Sequence, residues 1–250
     1  MPKHQSLSNS EYPDHELMFD TEEGLQGYNT HVVSMIYKAL TLHGTTSIEK
    51  SAIAEFGAGH GILVRIFLEK YNLKPECIEI DERFIQELKK SGFTTFKSLK
   101  EAAKQYQLIY TSNVIEHIEN DVQALKDMRN ALIENGRLVI YVPALPFLFS
   151  SFDESAGHFR RYSKRELISK VREAGFTIEK CHYNDSIGVL ASLGVKALGY
   201  KKSTNLGSKK SLIFYDRCMY PLSRVLDFCG FKHIIGKNLL LAATPKTLPD

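Results

Sequence analysis

The chain has 250 residues, 43% of them hydrophobic, with 32 Lys and Arg against 29 Asp and Glu and a formal net charge of +3. That length carries one α/β domain with an ample core, and because Lys and Arg are spread along the chain instead of forming a basic run, a nucleic-acid partner is not implied. No apolar run reaches the roughly 20 residues of a transmembrane helix, and the nearest candidate, Ile187 to Tyr200, is broken by Gly188, Gly194 and Lys196.

The polar start, Met1 to Asp14, has no apolar signal-peptide core. Cys77, Cys181, Cys218 and Cys229 form no C-x-x-C pair, so the expectation is reduced, buried thiols in a cytoplasmic protein and no metal site. Further on, Asn29 and Thr30 can cap a helix on which Val32, Val33, Ile36, Tyr37 and Leu40 recur at helical spacing, with Gly44 to stop it. This helix, with Tyr28 just before it, is expected to cover one edge of a ligand cleft.

Next come Ser51-Ala52-Ile53 and Ala54-Glu55-Phe56-Gly57-Ala58-Gly59-His60-Gly61, then the apolar run Ile62 to Leu68, which read as strand, glycine turn and helix. The third glycine comes one place earlier than in the dinucleotide pattern G-x-G-x-x-G, with Ile62 where that pattern has glycine. Glu55 stands at the strand end, where a carboxylate repels a pyrophosphate but suits a ligand carrying an ammonium and a sulfonium. S-adenosylmethionine fits that description, with Glu55, Gly57, Ala58, Gly59 and Gly61 as its turn.

Cys77 to Asp81 reads as the second strand, and Glu79 lies about 20 residues beyond the glycine turn, where a carboxylate accepts both ribose hydroxyls. Asp81 either joins it at the cofactor or caps the next helix. A helix over Phe84 to Lys90, a short strand over Thr94 to Phe96, and the capping spacing Ser98-Leu99-Lys100-Glu101 follow. Gln107 to Thr111 reads as strand four, running into Ser112-Asn113-Val114-Ile115-Glu116-His117-Ile118; at a strand's carboxyl end, Asn113, Glu116 and His117 stand where chemistry happens.

A helix over Asp121 to Ile133, a stop at Asn135-Gly136 and a strand over Arg137 to Val142 complete an alternation that predicts a mostly parallel sheet with helices on both faces. The polar and aromatic segment Phe152 to Tyr162 then precedes a helix starting at Ser163. Arg160 and Arg161 in it either fix an acceptor or pair with Asp153 and Glu154. Strand six is Thr177 to Tyr183, a helical insertion runs from Ile187 to Leu226 with a basic break at Lys201 to Lys210, and Leu239 to Ala243 is the last strand.

On Glu55 to Gly61, Glu79 and Asn113 to Ile118, the chain from Tyr28 to Ala243 resembles the class I S-adenosylmethionine-dependent methyltransferases. Asp153 with Gly157-His158-Phe159-Arg160-Arg161-Tyr162 is similar to a bacterial subgroup often associated with cell-surface saccharide and lipid biosynthesis, although Thr30-His31 stand where that subgroup has Arg-Trp. The resemblance implies a Rossmann-like, doubly wound, mostly parallel seven-stranded sheet with an antiparallel last strand, built from residues 28–250 after an N-terminal segment 1–27, with the helical insertion at about 187–236. It implies that the glycine turn holds the methionine part of the cofactor, Glu79 the ribose, and Asn113 and Val114 the adenosyl side. His117 and His158 are the candidate bases for O-methylation, with Tyr28, Glu116, Arg160, Arg161 and Tyr162 on the acceptor, a small molecule, saccharide or lipid-linked compound, and peripheral membrane contact in view. The rival expectations are a nicotinamide-dependent reductase and a non-catalytic S-adenosylmethionine-binding protein.

Overall fold

Seven strands form one sheet in the order β3-β2-β1-β4-β5-β7-β6. The computed structural model describes residues 24–41, 52–198 and 209–246. The stretch Met1 to Asp14, the expected stop at Gly44 and most of the basic break at Lys201 to Lys210 lie outside them. Strands β1 (Ile53–Phe56), β2 (Glu76–Ile78), β3 (Thr95–Phe96), β4 (Tyr106–Ser112) and β5 (Leu132–Pro143) run parallel. The last strand, β7 (Asn238–Pro245), inserts antiparallel between β5 and β6 (Phe176–Asn184). The expected fold class is therefore borne out.

Central parallel strands are covered on both faces, which is why the middles of β4 and β5, Leu108 to Tyr110 and Leu138 to Val142, read as unbroken apolar runs. Side chains alternate between the faces. Ile109, Leu138 and Ile140 pack with Leu125, Met128, Leu167 and Val171, from α5 (Asp121–Asn130) and α7 (Lys164–Glu173), each preceded by a short helix, α4 (Leu99–Ala102) and α6 (Ser151–Ser155). Leu108, Tyr110, Val139 and Tyr141 pack on the other face with Val33 and Ile36 of α1 (Gln26–Thr41) and Phe67 of α2 (Ile62–Tyr71). The chain winds from β1 outward through β2 and β3, then returns to β4 on the other side of β1. This reversal opens a crevice at the carboxyl ends of β1 and β4.

Two boundaries differ from expectation, each for a non-local reason. Helix α1 starts before Asn29, because its first N–H groups find an acceptor far along the chain: Gly27 and Tyr28 donate to the Asp216 carboxylate at 2.9 and 2.7 Å. Helix α5 ends at Asn130 instead of Ile133, because Leu132 pairs with Tyr106 and Arg137 with Leu108, so that residues 133–136, with Asn135-Gly136, bulge from β5. The insertion carries α8 (Gly188–Leu198), α9 (Lys209–Phe214) and α10 (Tyr220–Phe228), the last two joined through a π-helical turn at Tyr215–Met219. The cysteines are unpaired as expected, but Cys218 and Cys229 are exposed, not buried, because they lie on the outer side of these helices.

Candidate active site

Strand β1 delivers Glu55 to the crevice, and the chain then turns back through Gly57, Ala58 and Gly59 into α2. Gly57 has φ +79°, and a Cβ there would stand 2.4 Å from Val114 Cγ2, so the turn is pressed against the loop after β4. Gly59, at φ +50°, meets nothing within 4 Å; it borders the cavity, where a side chain would occupy ligand space. Gly61 closes the turn as the left-handed N-cap of α2.

Facing the turn, Glu79 follows directly on β2 and is 4% exposed. Its Oε2 accepts from Gly59 N at 2.8 Å, and its Oε1 accepts from Ile80 N at 2.8 Å and Asp81 N at 2.9 Å. Burial pushes its pKa up, and the three amides counter this by stabilising the carboxylate. Glu79 is thereby fixed as an acceptor at the cavity wall. Glu55, also buried on that wall, accepts from Tyr110 Oη at 3.0 Å. Asn113, at φ +53°, donates its N–H to Tyr141 O at 2.8 Å and borders the cavity beside Val114. Asp81 belongs to the cap and not the cavity: it accepts from Arg83 N at 2.9 Å at the start of α3 (Glu82–Lys90) and pairs with the Arg83 guanidinium at 2.7 Å. Leu25, Leu63 and Phe84 complete the wall. The sequence places the last two on helices and not at a ligand, because no local signal separates a cavity-facing apolar residue from a core one.

The 3₁₀ turn Ile115–His117, just past β4, carries Glu116 and His117. His117 borders the same cavity, and its ring meets that of His158 edge-on with centroids 4.6 Å apart. Burial, with the neighbouring His158, lowers the His117 pKa to about 4, so the imidazole is neutral at neutral pH. His158 Nδ1 lies 2.9 Å from Asp153 Oδ1, which also accepts from Arg161 Nε at 2.7 Å.

Glu116 is fully buried, and neither carboxylate oxygen has a hydrogen-bond partner. Burial pushes its pKa up to about 8, against the attraction of Arg161. The unfolded chain loses this proton near the ordinary Glu value while the folded chain keeps it, so stability falls as pH rises from about 4.5 to 8, by on the order of 5 kcal/mol, and levels off above. Glu116→Gln removes this titration. The stability of the variant relative to wild type, measured by urea unfolding, is expected to increase from pH 5 to 8 and then stay constant.

Two of the acceptor assignments are corrected. Tyr162 is fully buried and donates to Asp121 Oδ2 at 2.7 Å. Arg160 pairs with Asp121 at 2.8 Å and donates to the carbonyls of Ile118 and Glu119. Lys170 completes this cluster at 2.6 Å, and it locks the 152–162 segment to α5 and α7. Arg161 is paired with Asp153, not Glu154. Tyr162→Phe is accordingly expected to cost about 1–2 kcal/mol of stability with cofactor affinity unchanged, as read by denaturation and calorimetry. Tyr28 does reach the cavity, and its hydroxyl is 2.9 Å from that of Tyr141 and accepts from Asn238 Nδ2 at 2.8 Å.

Comparison with known proteins places this geometry. A family model described as a methyltransferase domain matches residues 36–180, more than half of the chain. No curated sequence matches. Among solved structures, the plantazolicin methyltransferase in complex with SAH superposes with TM-score 0.61 at 11% identity, over 95% of this chain and 92% of that one. A SAM-dependent methyltransferase from Archaeoglobus fulgidus gives 0.55 at 14%, over 92% and 100%. Phosphoethanolamine N-methyltransferase 2 from Haemonchus contortus gives 0.58 at 13%, over 97% of this chain and 61% of that one. These likenesses concern the fold; the family match sets the reductase alternative aside, and the chain belongs to the methyltransferase-domain family.

Proposed function

We propose that this methyltransferase transfers the methyl group of S-adenosylmethionine to a hydroxyl of a saccharide or lipid-linked acceptor. The observation that carries the reading is one cavity bounded by Glu55, the Gly57–Gly59 turn, Glu79 and His117. Its donors and acceptors suit this cofactor: two carboxylates on the wall disfavour a pyrophosphate, Glu79 is held ready for two ribose hydroxyls, and the open face at Gly59 leaves room for the methionine part. When bound, S-adenosylmethionine supplies an electrophilic methyl on a cationic sulfur.

The chain's own contribution is to orient the acceptor, exclude water and hold its proton. Orientation and desolvation supply most of the acceleration, worth roughly 7–11 kcal/mol in favourable cases. His117, neutral and on the cavity wall, is the group placed to take the hydroxyl proton. Elsewhere in the fold, Arg161 Nη1 and Asp185 Oδ2 are buried without hydrogen-bond partners, which supports an acceptor rich in hydroxyls. The lipid-linked alternative is supported by α8 and α10, which present Leu190, Leu198, Leu222, Val225 and Phe228 to solvent. No described helix is long and apolar enough to cross a membrane.

The test is transfer of radiolabelled methyl from S-adenosylmethionine to a panel of lipid-linked sugars, free saccharides, quinone precursors and amines. Labelling of a hydroxyl acceptor, lost on methyl-blocking that oxygen, is the expected result. Labelling confined to amines would overturn it.

A further inference from the structure

Glu116, His117 and His158 each offer a ligand atom, and these atoms all lie within 4.8 Å of one another. The residues come from two separate segments, the turn after β4 and the loop before α7, so no spacing in the sequence discloses them. Three features distinguish the cluster from a chance grouping of polar side chains.

The Glu116 carboxylate is fully buried with neither oxygen hydrogen-bonded, a costly arrangement that a bound cation removes. Asp153 can only accept when ionised, so its 2.9 Å contact makes His158 Nδ1 the donor and leaves the Nε2 lone pair for a ligand. One ring nitrogen of His117 is hydrogen-bonded to the backbone of Gly157, which leaves the other for the cluster. Both rings are therefore tied on their far side to an acceptor, the arrangement that orients metal-bound histidines. Asp153 is itself fixed by Arg161 at 2.7 Å and by Ser150 N at 3.0 Å, so the support extends a layer further.

We propose that Glu116, His117 and His158 form a binding site for one divalent transition-metal ion at the wall of the methyl-donor cavity. Two imidazoles and one carboxylate suit zinc, cobalt or iron(II) in preference to magnesium or calcium, which take oxygen ligands. Three protein ligands leave coordination positions open. Since His117 borders the cavity, those positions adjoin the space assigned to the acceptor, and an ion there polarises a hydroxyl oxygen. This last role, in which the histidines act as ligands and the ion replaces the imidazole in activating the hydroxyl, rests on the function proposed above; ion binding does not.

Cobalt(II) is the probe, because its visible spectrum separates nitrogen and oxygen ligation from binding at the exposed Cys218 and Cys229. The full chain, stripped with a chelator, is titrated by calorimetry and absorption. The expected result is one ion per chain with ligand-field bands and no thiolate charge-transfer band, weakened about 100-fold or more in each of Glu116→Gln and His158→Ala. Circular dichroism and binding of S-adenosylhomocysteine by the same variants show that the fold persists. No saturable binding, a thiolate band, or binding that neither variant weakens overturns the site. S-adenosylhomocysteine binding without cobalt binding refutes the metal site alone, and the reverse refutes only the methyltransferase reading.

Discussion

Replacing Glu79 with alanine is expected to lower affinity for S-adenosylmethionine by about 100-fold or more. Each hydrogen bond to a charged group is worth about 1.5–3 kcal/mol, and two ribose hydroxyls donating to one carboxylate sum to about 3–6 kcal/mol. The carboxylate also accepts from the amides of Gly59, Ile80 and Asp81, so its removal frees the glycine turn from the end of β2 as well. Glu79→Gln separates these effects: the amide oxygen keeps one acceptor for the turn, while the charge and the second ribose contact are lost. Calorimetric titration should therefore rank the affinities wild type, Gln, Ala. Equal affinity in all three would remove Glu79 from the cofactor site.

The glycine turn gives the second large effect, through two residues, one acting mainly on stability and the other mainly on affinity. Gly57→Ala places a Cβ 2.4 Å from Val114 Cγ2 at φ +79°, so the turn and the loop after β4 must separate. The conformational cost of about 1–2 kcal/mol adds to an overpacking cost of about 1–3 kcal/mol. The expected result is a protein destabilised by about 2–5 kcal/mol in chemical denaturation that binds cofactor poorly. Gly59→Ala meets nothing within 4 Å, so only the left-handed backbone is penalised and stability falls by about 1 kcal/mol. Its methyl group enters the cavity, and S-adenosylmethionine affinity is expected to fall at least tenfold. If Gly59→Ala bound cofactor like wild type, the cavity beside this turn would not be where the cofactor lies.

What the sequence disclosed of this site is what local spacing can carry. The glycine turn, Glu79 and the loop after β4 each stand at the end of a largely buried strand, and the sheet reversal between β1 and β4 brings those three ends together. Position at or just after a strand end was therefore enough to bring Glu55, Gly57, Glu79, Asn113 and His117 to the cavity. The assignments that shifted depend on partners far along the chain. Arg160 and Tyr162 resemble recognition residues in isolation, yet Asp121, some 40 residues earlier, takes both, and together with Lys170 satisfies its carboxylate. The start of α1 shows the same thing, because its cap, Asp216, comes from the insertion. The position of Glu116 after β4 is legible in the sequence but its full burial is not, since nothing local shows that the segment around His158 covers the turn.

The most direct test of the cofactor assignment is calorimetric titration of the purified chain with S-adenosylhomocysteine and, separately, with NADH. One S-adenosylhomocysteine per chain, with no saturable binding of NADH and with affinity lost in Glu79→Ala, is the predicted result. Binding of NADH in preference, or failure of S-adenosylhomocysteine to bind a folded chain, would contradict it.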